Sequence, residues 1–482
     1  MKRIFFILLA IVPFCINGQN IDDVYKISAV NYQGTAKGAA MGNAMGAVGE
    51  DISAISINPA GLGLYRKSSF SFTPSLLTTY TKSEYFGNSE KDNRTCLSVN
   101  NIGYVETSKS GDIKVNWAFA MNKTNNFNNR IFVNGYNPDN SLIDAYFAEI
   151  IANDIYNEEE LNEYSPSYIY PIWETYLFDF NNDGSLTAYV PEGGIQQLKG
   201  VNSWGGTNEW SFSSSINVKD KLFMGFSVNI PSVNSNRITD YEEVFEDGGN
   251  TYSWWQQETL YTSGWGFNGK FGIIAYPSRW LRLGAAYHTP TFYNLTDRWR
   301  TETASWETTF IVPTSHFNYS LQTPWMLNGN AAFLFGNFGM ISIDYDYVDY
   351  KSIKLYAPNY DYGYYNDALK ETFKSSMNIR LGTEWRYRNM CFRGGYSFYG
   401  SPYGIHATDG FYNKHNKNSF SCGFGYTQHA FTFDFAYVYS LQNQEYNLYS
   451  QYSGYYDDIK LNIVNENVNA HSLIFSIKVK ML

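Results

Sequence analysis

Five cations, Lys270, Arg282, Arg380, Arg386 and Arg393, stand on segments that also carry Asp344, Asp346, Glu384 and Asp434. In a narrow pore of low dielectric, an Arg holds a ligand carboxylate through two parallel N–H bonds, so these five are candidate lumen ligand-binding residues. The competing reading is that the charges pair with one another across neighbouring strands and simply fill the interior. A second candidate is "DFNNDGSL", where Asp179, Asn181, Asp183 and Gly184 follow the first half of a calcium-loop spacing. The distal acid is missing: position twelve is Val190, and Glu192 comes two residues late. An Asp-Gly turn is the simpler reading, and no metal site is expected.

Other chemistry lacks its residues. The histidines (His288, His316, His406, His415, His429, His471) form no metal-binding pair, and no Gly-x-Ser-x-Gly elbow occurs. Cys96, Cys391 and Cys422 are scattered and odd in number, which is no disulfide framework. Neither an enzyme nor a cofactor is expected. With 45 acidic against 35 basic residues, no basic face for nucleic acid is visible.

These residues need a scaffold, and composition suggests one. Aromatics make up 18% of the chain, with 42 Tyr, while charged residues make up only 17%. A transmembrane barrel uses such an excess for its interfacial girdles and apolar outer band. A secreted carbohydrate-binding β protein is the alternative on composition alone. Lys2, Arg3 and the short apolar "IFFILLAIVPFCI", followed by Gly18, read as a signal peptide over residues 1–18. Cys15 lacks the small residues that precede a lipidated Cys.

Period-two alternation predicts strands near 69–82, 95–108, 112–123, 208–219, 221–234, 263–277, 280–297, 325–336, 337–349, 375–388, 390–401, 417–429, 430–442 and 470–482. That is an all-β chain with about fourteen antiparallel strands, spanning residues 67–482. Connections alternate strictly. Short ones such as "KDK" and "YPSR" face the periplasm, and long ones near 83–94, 124–207, 235–262, 298–324, 350–374, 402–416 and 443–469 face outside. Within 124–207, residues 138–163 change to helical spacing after Asp139 or Asn140 as a cap, which predicts one helix. In the second strand, Leu97 and Val99 keep one phase, whereas Ile102, Tyr104 and Glu106 keep the other. The flip at Asn100-Asn101 requires a bulge, which either opens the wall or only adds twist.

Residues 19–66 precede the barrel and include a Gly/Ala-rich run small enough to pack inside a lumen as a plug. Its end holds a rigid, uncharged knot, Asn58-Pro59-Ala60-Gly61. The stretch "GAAMGNAMGAVGEDISAISINPAGL" resembles the hatch signature of the FadL/TodX family of outer-membrane transporters for hydrophobic compounds. "IDYDYVDYKSIKL", "NIRLGTEWRYRNMCFRGGYSFYGSPY" and "SFSCGFGYTQHAFTFDFAYVYS" look like that family's late strand pairs. The resemblance implies a monomeric fourteen-stranded barrel in the outer membrane of a Gram-negative bacterium. It implies an N-terminal hatch in the lumen and passive uptake of long-chain fatty acids or other hydrophobic small molecules. It also implies sideways release through a gap made by a strand kink, with outer-membrane lipid as the neighbour. Asn58 would then hydrogen-bond the wall as part of a gate, with Pro59 fixing chain direction and Ala60 and Gly61 leaving space. The alternatives are a FadL-like barrel serving as a secretion or surface-attachment scaffold, and a haemin-binding receptor.

Overall fold

The structure, a computed structural model, describes residues 21–108, 112–358, 360–404, 415–449 and 462–481. The signal segment 1–18, with Cys15, and His406 lie outside the described residues.

Alternating apolar and polar side chains put one face of each strand toward lipid and the other toward a lumen. Fourteen strands form the wall: β1 (Ser69–Tyr85), β2 (Asn88–Thr107), β3 (Ile113–Asn126), β4 (Ile195–Val218), β5 (Leu222–Asp247), β6 (Asn250–Ser278) and β7 (Leu281–His288), then β8 (Met326–Phe335), β9 (Gly339–Asp349), β10 (Ser375–Tyr387), β11 (Met390–Tyr399), β12 (Lys417–Gln428), β13 (Phe431–Asn447) and β14 (Ile463–Lys480). Each pairs antiparallel with its sequence neighbour, and β14 closes on β1 from Ser69↔Lys480 to Glu84↔Asn465. Closure joins the last strand to the first, so most backbone groups inside a bilayer find partners in the wall. The outward face carries exposed Phe212, Phe226, Phe271, Phe433 and Phe475, while Asp434, Ala436 and Ser476 on the alternate positions are buried. This wall is that of an outer-membrane β-barrel.

The predicted strands all appear, but several run much further outward than expected. Residues 83–94 and 235–262, expected as open loops, are continuous ladders that end in two-residue turns at Phe86-Gly87 and Gly248-Gly249. Both residues of each turn have positive φ, the geometry whose twist matches flanking strands. Above the membrane both faces of "SEKDNRT" are at least partly exposed, and in "NRITDYEEVFED" the face covered by the outer cap carries the charged Glu243 between Tyr241 and Phe245, so neither stretch keeps the apolar–polar alternation that marks a half-buried strand. The wall also continues past short breaks, as Asn129–Asn137 after β3 and Phe292–Ala304 after β7.

The expected single helix over 138–163 is two helices, Leu142–Ala152 and Glu158–Tyr164, with a third at Tyr170–Glu174. The cap of the first is Ser141 rather than Asp139 or Asn140. Ile143 N donates to Ser141 Oγ at 3.1 Å, and Ser141 N donates to Asp144 Oδ2 at 2.8 Å. The missed Gly363–Thr372 helix lies in the expected 350–374 loop. The first three pack Ile143, Ile150, Leu161 and Ile172 against Phe245 and Trp254 of the wall extensions, forming an outer cap. Buried Glu243 anchors it, accepting from Ser141 Oγ at 2.6 Å, Leu142 N at 2.8 Å and Trp254 Nε1 at 3.0 Å. Asp183 receives Ser185 N at 3.1 Å and Gly184 takes φ +80°, so "DFNNDGSL" forms a tight hairpin turn.

Candidate functional site

The wall is interrupted beside β2. Thr73 pairs with Asn101 and Pro74 with Val99, which leaves Asn100 as an extra residue. The β2–β3 ladder runs from Thr107↔Asn116 to Asn101↔Asn122 and ends there. On the other side of β3, Lys123 pairs with Asn208 and Asn125 with Thr207, so Thr124 is extra as well. Two bulges therefore flank the place where β2 leaves β3. The bulge residues are tied locally: Ser75 Oγ donates to Asn100 Oδ1 at 2.6 Å, and Asn101 Nδ2 donates to Asn122 Oδ1 at 2.7 Å.

The N-terminal segment occupies this break. Asn31 N donates to Thr124 O at 2.8 Å, and Gln33 N donates to Lys123 O at 3.3 Å. The Asn125 amide donates to Lys26 O at 2.9 Å and Ala29 O at 3.1 Å. Carbonyls that β2 has abandoned thus find partners inside the barrel, which matters because an unpaired backbone group within a bilayer is costly.

The knot lies deeper. Asn58 Oδ1 caps a short 3₁₀ turn, Pro59–Leu64, by accepting from Ala60 N at 3.1 Å. Its Nδ2 lies within hydrogen-bond reach of Ile273 O at 3.3 Å, Ala285 O at 3.5 Å and Asn330 Oδ1 at 3.3 Å. One side chain therefore touches β6, β7 and β8. Pro59, Ala60 and Gly61 are fully buried. The wall makes room with glycine: a Cβ at Gly225 would sit 2.3 Å from Ala60 N, and one at Gly395 would sit 2.1 Å from Gly42 N.

The lumen charges are mostly committed. Lys270 Nζ lies 2.5 Å from Glu209 Oε1 and also donates to Ser56 O at 3.1 Å. Arg380 holds Asp346 through both Nη atoms at 2.5 and 2.8 Å, with Asp344 at 3.6 Å. Arg393 bridges Glu384 at 2.7 Å and Asp434 at 2.6 Å, and Arg386 shares Glu384 at 2.7 Å. These four cations are each paired with a carboxylate, the competing reading of the lumen charges. Arg282 differs: it has no carboxylate partner among the described residues, donates to Val48 O at 2.8 Å and lies over the Tyr276 ring at 4.7 Å.

Toward the outer mouth, the helix Ile21–Ser28 fills the lumen. Tyr25 stands among Tyr350, Phe373 and Tyr403 with ring centroids 5.7, 6.3 and 5.6 Å away. Asp23 receives both 2.7 and 2.8 Å bonds from Arg237 Nη1. A cavity of about 60 Å³ lies beside this helix, bordered by Ile27, Tyr32, Lys270, His288 and Tyr293. Small-molecule sites usually measure roughly 300–1,000 Å³. The path is closed.

Sequence reasoning missed Asn31, Thr124, Glu209 and the Asp23–Arg237 clasp. The first two act through backbone atoms, which leave no residue signal. The asparagine-rich run "NKTNNFNNR" was the available hint, since side-chain amides satisfy irregular backbone.

No protein-family model matches the sequence, and no curated protein does. Solved structures do match. A FadL homologue of Pseudomonas aeruginosa aligns with a TM-score of 0.56 at 11% identity, covering 93% of this chain and 99% of its own. The toluene transporter TodX of P. putida gives 0.54 at 12%, covering 94% and 99%. The Ralstonia pickettii toluene transporter TbuX gives 0.51 at 14%, covering 94% and 100%. The likeness is one of fold: the chain has the FadL/TodX barrel fold over nearly its whole length.

Proposed function

We propose that the protein is an outer-membrane channel for passive uptake of hydrophobic small molecules, closed in this state by residues 21–66 acting as a hatch. The carrying observation is the break between β2 and β3, stoppered by Asn31 and Gln33. A hydrophobic solute gains nothing from an aqueous exit, but gains its full transfer free energy by leaving sideways into lipid. Two backbone bonds suit a stopper of this kind, because a net hydrogen bond is worth only about 0.5–1.5 kcal/mol. A ligand that displaces the Ile21–Ser28 helix from the aromatic mouth would pull directly on Asn31, three residues beyond its end.

The neighbours with this fold are named as a FadL homologue and toluene transporters, which supports hydrophobic cargo. Between cargo types, Arg282 is the one candidate cation without a carboxylate partner among the described residues, and is the natural contact for a fatty carboxylate. The test is uptake by proteoliposomes of radiolabelled oleate and toluene. Transport of either above empty liposomes supports the channel. Transport of neither by folded protein rejects it in favour of a scaffold.

A further inference from the structure

A second and larger cavity, about 470 Å³, lies on the wall where Asn129–Asn137 runs beside β4, β5 and β6 beyond the apolar belt. Its size is that of a small-molecule site. The register explains the hollow. Gly200 sits between Phe132 on one neighbouring strand and Asp240 on the other. A Cβ at Gly200 would meet only the Asp240 side chain, at 3.9 Å, so the space above it is open. In the adjoining row, Leu198, Glu242 and Trp255 stand side by side on β4, β5 and β6. The indole of Trp255 is exposed.

The lining carries three carboxylates, Asp92, Asp240 and Glu242, against one guanidinium, Arg130. Arg130 is engaged by Asp92 at 3.4 Å, and Asp240 accepts from Gln257 Nε2 at 2.7 Å. Glu242 has no hydrogen-bond or ion-pair partner among the described residues. The hollow therefore combines apolar walls, an open aromatic face and an uncommitted negative charge on the residue paired with that aromatic.

We propose that this hollow binds an organic cation, an ammonium group carrying a compact apolar body. The charge sits against Glu242 and Asp240, and the alkyl groups rest on Trp255, Leu198 and Phe132. An ammonium near an indole face gains from the ring quadrupole as well as from the carboxylates. An anion is repelled by the excess of carboxylates. A neutral sugar makes no use of it. The site is separate from the lumen path, and its occupation does not depend on the transport reading.

The experiment is calorimetric titration of the full-length purified protein with choline and with 3,3-dimethylbutan-1-ol, which has the same shape without the charge. Saturable choline binding is expected, with no measurable binding of the alcohol. Glu242→Gln keeps the shape and should weaken choline by about tenfold. Gly200→Leu should fill the hollow and abolish binding, with heat-modifiable gel migration checking that the barrel is folded. If Gly200→Leu fails to fold, Glu242→Gln alone decides. The proposal is overturned if the folded protein shows no saturable choline binding, if the alcohol binds equally well, or if Glu242→Gln leaves choline affinity unchanged.

Discussion

The backbone N–H of Asn31 donates to the carbonyl of Thr124 over 2.8 Å, at the point where β2 has already parted from β3. A segment from inside the barrel thus completes the hydrogen bonding of the wall. On the proposed function, displacing this segment and opening the wall are one event.

The extra residue Asn100 should be what keeps β2 away from β3. Deleting it makes the β1–β2 register continuous through Pro74 and lets the β2–β3 ladder extend past Asn101. The barrel should still fold, because its closed ladder is otherwise intact. Hydrophobic-probe transfer into the bilayer should fall to the level of protein-free vesicles. Unchanged transfer would make the bulge a source of twist alone.

Asn58 reaches three wall strands from one side chain. Asn58→Ala removes those contacts and the cap on Ala60, each worth about 0.5–1.5 kcal/mol. The barrel does not depend on them. Gel migration should stay heat-modifiable, while single-channel conductance to small ions rises. Conductance equal to the unmodified protein would show that Asn58 is not part of the closure.

Strands and faces were legible because each leaves a residue pattern: alternation, with aromatics outward. The outer extensions were not, since water on both faces erases alternation in "SEKDNRT". Nor was the pairing of Lys270, whose partner Glu209 stands on β4, two strands from β6. Sequence showed the charges but not the register that joins them. The stopper at Thr124 was invisible for a simpler reason, being made of main-chain atoms.

The Lys270–Glu209 pair is almost fully buried, with both side chains 5% exposed. Removing one partner leaves a desolvated charge, which typically costs about 3–5 kcal/mol. Glu209→Gln should therefore lower the temperature of heat modification clearly. The double change Lys270→Met with Glu209→Leu should lower it much less. A larger loss in the double variant than in Glu209→Gln would mean that the hydrogen bond from Lys270 to Ser56 O, rather than charge, carries the stabilisation.

The outer cap should tighten in mild acid. Burial, reinforced by the facing carboxylates Glu243 and Glu192, pushes Asp144 up to about 6, against the opposing bond from Ser141 N. Burial also raises Glu149 on the same helix, against hydrogen bonds from Tyr168 and Tyr164. A carboxyl raised in the fold contributes stability that is complete below its unfolded value, near 4, and is lost as pH rises through the folded one. Limited proteolysis of residues 138–194 should be slower at pH 5 than at pH 7.5. Asp144→Asn, which retains an acceptor for Ser141, should flatten most of that difference. Faster cleavage at pH 5 would contradict the assignment.

On the proposed function, the N-terminal segment must leave the wall gap before cargo can pass. Asn31 and Asn125 face each other there, with Nδ2 and Oδ1 3.4 Å apart. In a cysteine-free background, Asn31→Cys and Asn125→Cys can be joined by a short reducible thiol crosslinker, and hydrophobic-probe transfer into proteoliposome bilayers followed before and after reduction. Crosslinked protein should transfer no probe, and reduction should restore transfer to the level of the uncrosslinked double variant. Equal transfer with the crosslink intact would contradict this, and would place the route for cargo elsewhere in the barrel.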